Sequence, residues 1–261
     1  MYVLDDNIKD KYKDEINLIY VTEKENDYNI YVEQFVKNNE DNIELEINKK
    51  KTKLINKYKL NKGENIIKMK IINKIKDLRN MFYKCEKLKN IDELKYLDTK
   101  YCNDFGSMFY GCSSLSDIKA LEKWNVSNGN NFRFMFSKCS SLSSIKALKK
   151  WNVSSGNTFN HMFSECTSLS DIRALEKWNV SNGNTFRYMF SKCSSLSSIK
   201  ALEKWNVSNG KNFGYMFYGC SSLSDIKALE KWNVSNGNNF SSMFSKCPSL
   251  SDIKAIEKWK L

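Results

Sequence analysis

From residue 81 onward the apolar positions recur in blocks of 27 residues, each opening on a Met-Phe pair at Met81, Met108, Met135, Met162, Met189, Met216 and Met243. Such a period marks a repeat architecture, in which one block is one structural unit that cannot bury its apolar face alone. Within a block, Phe132, Met135, Phe136 and Cys139 fall at i, i+3, i+4 and i+7. That spacing predicts a short amphipathic helix with the stripe packed inward. Asn131, Thr158 and Thr185 stand just before it as candidate caps, and a Ser-Ser pair after the cysteine marks its exit. Beyond the cysteine the apolar residues come every third position, at Leu142, Ile145, Leu148 and Trp151. On an α-helix this spacing drifts by ~60° per step, so a turn-rich coil with one or two short extended segments is expected instead. Trp151 and Val153 alternate as a strand does. Asn128-Gly129, Ser155-Gly156 and Asn182-Gly183 are then expected to supply a φ > 0 turn back to the next unit. With units ~4.8 Å apart, Trp124, Trp151, Trp178, Trp205, Trp232 and Trp259 would form a buried column, the competing reading being an exposed stacking platform for bases or sugars.

Residues 1–65 have another texture. Apolar-polar alternation at residues 16–21, 28–32 and 43–47 reads as strands of an antiparallel sheet. The expected organisation is a β-rich N-terminal cap or module over 1–65 and an α/β solenoid over 66–261. The latter is a leucine-rich-repeat-like stack of coils, each with a short helix and a short strand, the last truncated. Sequence ends at Trp259-Lys260-Leu261, directly after the tryptophan position, which makes self-association through the C-terminal coil an expectation.

The string Met-Phe-x-x-Cys-x-x-Leu-x-x-Ile-x-x-Leu-x-x-Trp-Asn-Val-Ser-Asn at residues 108–128 resembles the BspA-like leucine-rich repeats of bacterial and protist surface proteins, and the resemblance extends over residues 81–261. It implies a leucine-rich-repeat solenoid of the kind displayed on cell surfaces for adhesion, with no catalytic residues to carry over. Gly129 and Gly183 depart from it, standing where the usual variety has Val.

Composition narrows the chemistry. Hydrophobic residues make up 41% of the 261, enough for a sizeable core. No stretch approaches ~18 apolar residues, so no transmembrane segment is expected. Met1 to Asn7 shows no basic start or apolar run, so a cytoplasmic location is expected, with the cell surface or secretion as the alternative for a trimmed chain. Of eight cysteines, seven sit one per unit, a column expected to be buried thiols rather than disulfides or a metal site. His161 is the sole histidine and shares its repeat position with Phe134, Tyr188, Tyr215 and Ser242. A catalytic base is not expected in a variable aromatic column, and no Walker A, Cys-x-x-Cys or dinucleotide glycine pattern occurs, so neither an enzyme nor a cofactor is expected. The recurring Asn-Val-Ser tripeptides read as a hydrogen-bonding column or as glycosylation sequons. Residues 81–261 hold 25 basic against 15 acidic side chains, most of the net +12. One row of cations comprises Lys119, Lys146, Arg173, Lys200, Lys227 and Lys254, and reads either as a polyanion site for nucleic acid or acidic glycan or as a solvated face. Differences between units gather at Tyr110, Phe134, His161, Tyr188, Tyr215 and Tyr218, which form a candidate strip for a protein partner.

Overall fold

The computed structural model describes residues 14–259, so the readings made on Met1 to Asn7 and on Lys260-Leu261 lie outside the described residues. The N-terminal alternation becomes β1 (Glu15–Thr22), β2 (Asn26–Asn29) and β3 (Ile43–Ile47), joined by β4 (Lys50–Lys53), β5 (Lys57–Leu60), β6 (Gly63–Ile71) and β7 (Leu88–Asn90). Five of these form one sheet in the order β4-β3-β6-β1-β7, while β2 pairs with β5. Every pairing is antiparallel, and β1 lies against β6 from Glu15↔Lys70 to Thr22↔Gly63. Period-two alternation buries Ile16, Leu18 and Tyr20 on one face of β1. A helix not anticipated from the pattern, α1 (Glu33–Asn39), sits between β2 and β3 and buries Phe35. The boundary expected at residue 65 falls inside β6, because that strand continues to Ile71 for as long as β1 offers a partner.

This sheet covers the first repeat unit. Strand β7 belongs to that unit and pairs with β1, and the backbone N–H and side-chain amide of Asn17 both donate to Glu93 Oε2, at 2.7 and 2.9 Å. Cys85 Sγ donates to Ile30 O, and the Tyr31 ring lies 5.6 Å from Phe82. In later units the equivalent cysteine donates to the preceding unit's phenylalanine carbonyl, as Cys139 does to Phe109 O. Ile30 and Tyr31 therefore occupy the place of a preceding unit.

The Met-Phe segment is not the short helix its spacing predicts. It is a run of i→i+3 turns: Met135 N bonds Phe132 O, Ser137 N bonds Phe134 O and Cys139 N bonds Phe136 O. The alternate amides cross to the next unit instead, from Phe134 N to Asn160 O, Phe136 N to Met162 O and Lys138 N to Ser164 O, at 2.8 to 3.0 Å. An α-helix would satisfy all these donors internally and leave none for the neighbour. Asn131 still caps, but as a turn: its Oδ1 accepts from Arg133 N at 3.0 Å. Parallel bridges between equivalent residues, such as Asn131↔Thr158↔Thr185↔Asn212, continue from unit to unit.

The three-residue period after the cysteine forms short 3-10 helices at regular spacing, including Lys119–Lys123, Lys146–Lys150, Arg173–Leu175 and Lys200–Leu202. With three residues per turn, this helix keeps Ile145, Leu148 and Trp151 on one inward side. The strand expected at Trp151 and Val153 does not form. Both residues are extended or turn-flanked and buried, but the indole, rather than a backbone ladder, makes the link to the previous unit: Trp151 Nε1 donates to Leu121 O at 2.8 Å.

The Asn-Gly glycines do not supply φ > 0 either. Among the glycines only Gly63, Gly111 and Gly219 have positive φ. At Gly183 the requirement is space, since a Cβ there would lie 2.4 Å from Phe186 Cζ and 2.9 Å from Val180 O. The core consists of aromatic columns: Phe132 and Phe159 at 5.5 Å, Phe136 and Phe163 at 5.7 Å, Trp124 and Trp151 at 6.5 Å. Trp124, Trp151, Trp178, Trp205 and Trp232 are 4 to 5% exposed, which decides for a core column over a stacking platform, while Trp259 in the last unit is only partly buried.

Candidate aromatic recognition surface

Where the backbone turns outward at the Met-Phe pair, the fold requires a left-handed residue. Asn80, Ser107, Phe134, His161, Tyr188, Tyr215 and Ser242 occupy this position in successive units, all with φ between 52° and 59°. Such a conformation favours Gly or Asn and costs other residues about 1–2 kcal/mol. Four consecutive units nonetheless carry rings there. The rings meet face to face: Phe134 to His161 at 4.2 Å, His161 to Tyr188 at 4.4 Å and Tyr188 to Tyr215 at 4.6 Å, with planes within 19°. Stacking at ~0.5–1.5 kcal/mol per pair offsets part of the backbone cost.

Three residues further along, a second column extends this stack at both ends. Tyr218 lies 5.7 Å from Tyr215, and Tyr110 meets Phe134 edge-on at 6.0 Å. All six residues proposed from the sequence thus belong to one half-buried ribbon. It contains a seventh ring, Tyr83, stacked on Tyr110 at 4.7 Å. Tyr83 occupies the repeat position of Tyr110 and Tyr218, which is the signal that could have found it.

Cations border the ribbon, and the differences that mark them were also missed. Arg133 and Arg187 precede two of the rings, with guanidinium carbons 4.9 Å from the Phe134 and Tyr188 centres. Tyr188 also stacks on His161 and Tyr215, so the Arg187 guanidinium shares that ring with two neighbouring rings. Neither arginine has a carboxylate within ion-pair distance among the described residues. On the other flank, Lys138 and Lys246 lie near the Tyr110 and Tyr218 rings, and hydrogen bonds to those phenols hold both ammonium groups above their ordinary pKa. His161 is pushed down to about 4 by burial and then by the Arg187 and Arg133 charges, so it is a neutral ring at neutral pH. Because the stacked faces are consumed, the ribbon offers ring edges, phenol hydroxyls and cations to a partner.

The lysine row is elsewhere on the units and is exposed: Lys119, Lys146, Arg173, Lys200, Lys227 and Lys254 each begin a 3-10 helix. Carboxylates accompany it. Asp117, Asp171, Asp225 and Asp252 accept the backbone N–H of the adjacent row member, and Asp171 also pairs with the Arg173 side chain at 2.7 Å. The Asn-Val-Ser asparagines close turns, Asn152 Oδ1 accepting from Ser154 N at 3.1 Å. All eight cysteines are free and buried, and no metal-binding cluster and no helix able to cross a membrane occurs among the described residues.

A family model described as Mycoplasma protein of unknown function, DUF285, matches residues 51–173, 76–200 and 143–259. No curated protein and no solved structure matches the chain.

Proposed function

The chain belongs to the DUF285 family, and we propose that it is a non-catalytic recognition scaffold that holds a protein partner on the aromatic ribbon. The finer architecture belongs to the same proposal: a leucine-rich-repeat-like solenoid, akin to BspA-like repeats, that sets equivalent side chains in rows along one axis. Cross-unit amide bonds and parallel bridges support that arrangement. The observation that carries the function is the placing of Phe134, His161, Tyr188 and Tyr215 at left-handed positions on the surface, where the backbone alone favours Asn or Gly. Half-exposed tyrosines and arginines are the residue types enriched at protein interfaces, and adhesion is one form such recognition takes. The carboxylates beside the lysine row make a polyanion site there the weaker reading, and nothing in the ribbon pairs a nucleophile with a base.

The test is a pull-down from the native source with the wild-type chain beside a variant carrying Tyr188→Ala, Tyr215→Ala and Tyr218→Ala, with thermal unfolding of both as a folding control. Partners lost only by the variant, and retained by the wild type in 0.5 M salt, where the screening length is about 4 Å, support the reading. Partners that the folded variant keeps refute it.

A further inference from the structure

Cations along the ribbon do not occur in every unit. Arg133 and Arg187 stand two units apart, with Asn160 between them; Lys138, Lys192 and Lys246 are likewise two units apart, with Glu165 and Gly219 between. Neighbouring units are held as parallel-strand neighbours are, by bridges such as Asn131↔Thr158 and Thr158↔Thr185. At ~4.8 Å per unit, positive charge therefore recurs every ~9.6 Å beside a row of ring edges and hydroxyls. Glu165 tempers the lysine flank, since Lys192 reaches it at 4.0 Å, which leaves the arginines, without a carboxylate in ion-pair range among the described residues, as the stronger half of the pattern.

We propose that the ribbon's partner is an extended acidic segment in the polyproline II conformation, lying along the repeat axis with a carboxylate at every third residue. The match is one of length. Polyproline II rises ~3.1 Å per residue with three residues per turn, so positions i and i+3 share a face ~9.3 Å apart. A β-strand places same-face carboxylates ~6.6 Å apart, and two turns of α-helix ~10.5 Å, an error that grows with each repeat. Polyproline II also leaves its backbone carbonyls free to accept from the phenols of Tyr188 and Tyr215, and aromatic-lined surfaces suit its preformed, low-entropy chain.

This inference rests on the recognition reading above, and its test separates the two. A display library of random 15-residue peptides is panned on the full chain and counter-selected on the Tyr188→Ala/Tyr215→Ala variant. Three synthetic peptides of identical composition then follow by fluorescence anisotropy: glutamate at every third position in a proline-rich background, at every second, and clustered at one end. The expected result is enrichment of period-three acidic peptides, and about tenfold tighter binding of the period-three probe than of the other two. That advantage should vanish in Arg133→Gln/Arg187→Gln, an exposed pair whose loss leaves the fold intact. Ribbon-dependent peptides without the period-three acids, or equal affinity for all three probes, overturn the inference and leave the recognition reading standing. No ribbon-dependent peptide at all also overturns the inference, as does binding of heparin that survives the ring variant while no peptide binds, and the recognition reading then stands or falls on the pull-down.

Discussion

Gly183→Ala gives opposite signs under two accounts of why glycine sits there. Its φ lies outside the left-handed region, so alanine fits the backbone, and the smaller entropy of the unfolded chain would by itself stabilise the variant by about 0.4–1 kcal/mol. Sterics say otherwise. The new Cβ would lie 2.4 Å from Phe186 Cζ, 3.1 Å from its Cε2 and 2.9 Å from Val180 O, well inside the ~3.5–4.0 Å carbon contact distance. Phe186 cannot swing aside, because it is fully buried and stacked between Phe159 at 5.7 Å and Phe213 at 5.5 Å, with Trp205 at 6.1 Å. Overpacking of a well-filled core costs about 1–3 kcal/mol, so the net expectation is a loss of roughly 1–2 kcal/mol. Urea unfolding followed by tryptophan fluorescence reads it, since Trp178 and Trp205 lie in the units concerned, and a lowered midpoint at unchanged slope is the expected outcome. Phe186→Leu removes the clashing Cζ, so the double variant should lose less than the sum of the two single changes. A raised midpoint for Gly183→Ala, or strict additivity in the double variant, would refute the steric account.

The folded state holds His161 at about 4, below its ordinary 6.5, so between those values the unfolded chain binds more protons than the folded one. Stability is therefore full above pH ~6.5 and declines as pH falls toward ~4, by about 1 kcal/mol after allowance for partial exposure, and a His161→Phe variant that declines as steeply over this window would rule the histidine out. Burial pushes Cys85 and Cys166 up to about 12, so a colourimetric thiol reagent at pH 8 should leave the native chain nearly unreacted and titrate eight thiols in guanidinium; rapid native reaction would contradict the buried column.

How much of this was legible differs by level. The inward set was readable almost to the residue, because Phe132, Met135, Phe136, Cys139, Leu142, Ile145 and Leu148 recur at one spacing and are all buried. Secondary structure within the unit was less so. An i, i+3, i+4, i+7 stripe is compatible with a helix, but equally with consecutive turns whose alternate amides are claimed by a neighbour. Conversely, the strict three-residue spacing of Leu142, Ile145, Leu148 and Trp151 is the 3-10 helix's own period, and it spoke against an α-helix there. The ribbon's members stood out as differences among near-identical copies; Tyr83, in the first and most divergent copy, stood out less although it shares the column of Tyr110 and Tyr218, and the alternating arginines lie in a column where glycine, asparagine and serine also occur.

The amino-acid order alone determined the length of the unit, which side chains face inward and which columns carry rings or charges, since periodicity is a property of the chain. Tertiary structure alone decided which amides stay within a unit and which cross to the next, and hence that the Phe134 column is left-handed and that its rings show edges rather than faces. Those outcomes depend on donors and ring faces that find their partners 26 or 27 residues away, and no local pattern specifies a partner that exists only once the neighbouring unit is in place.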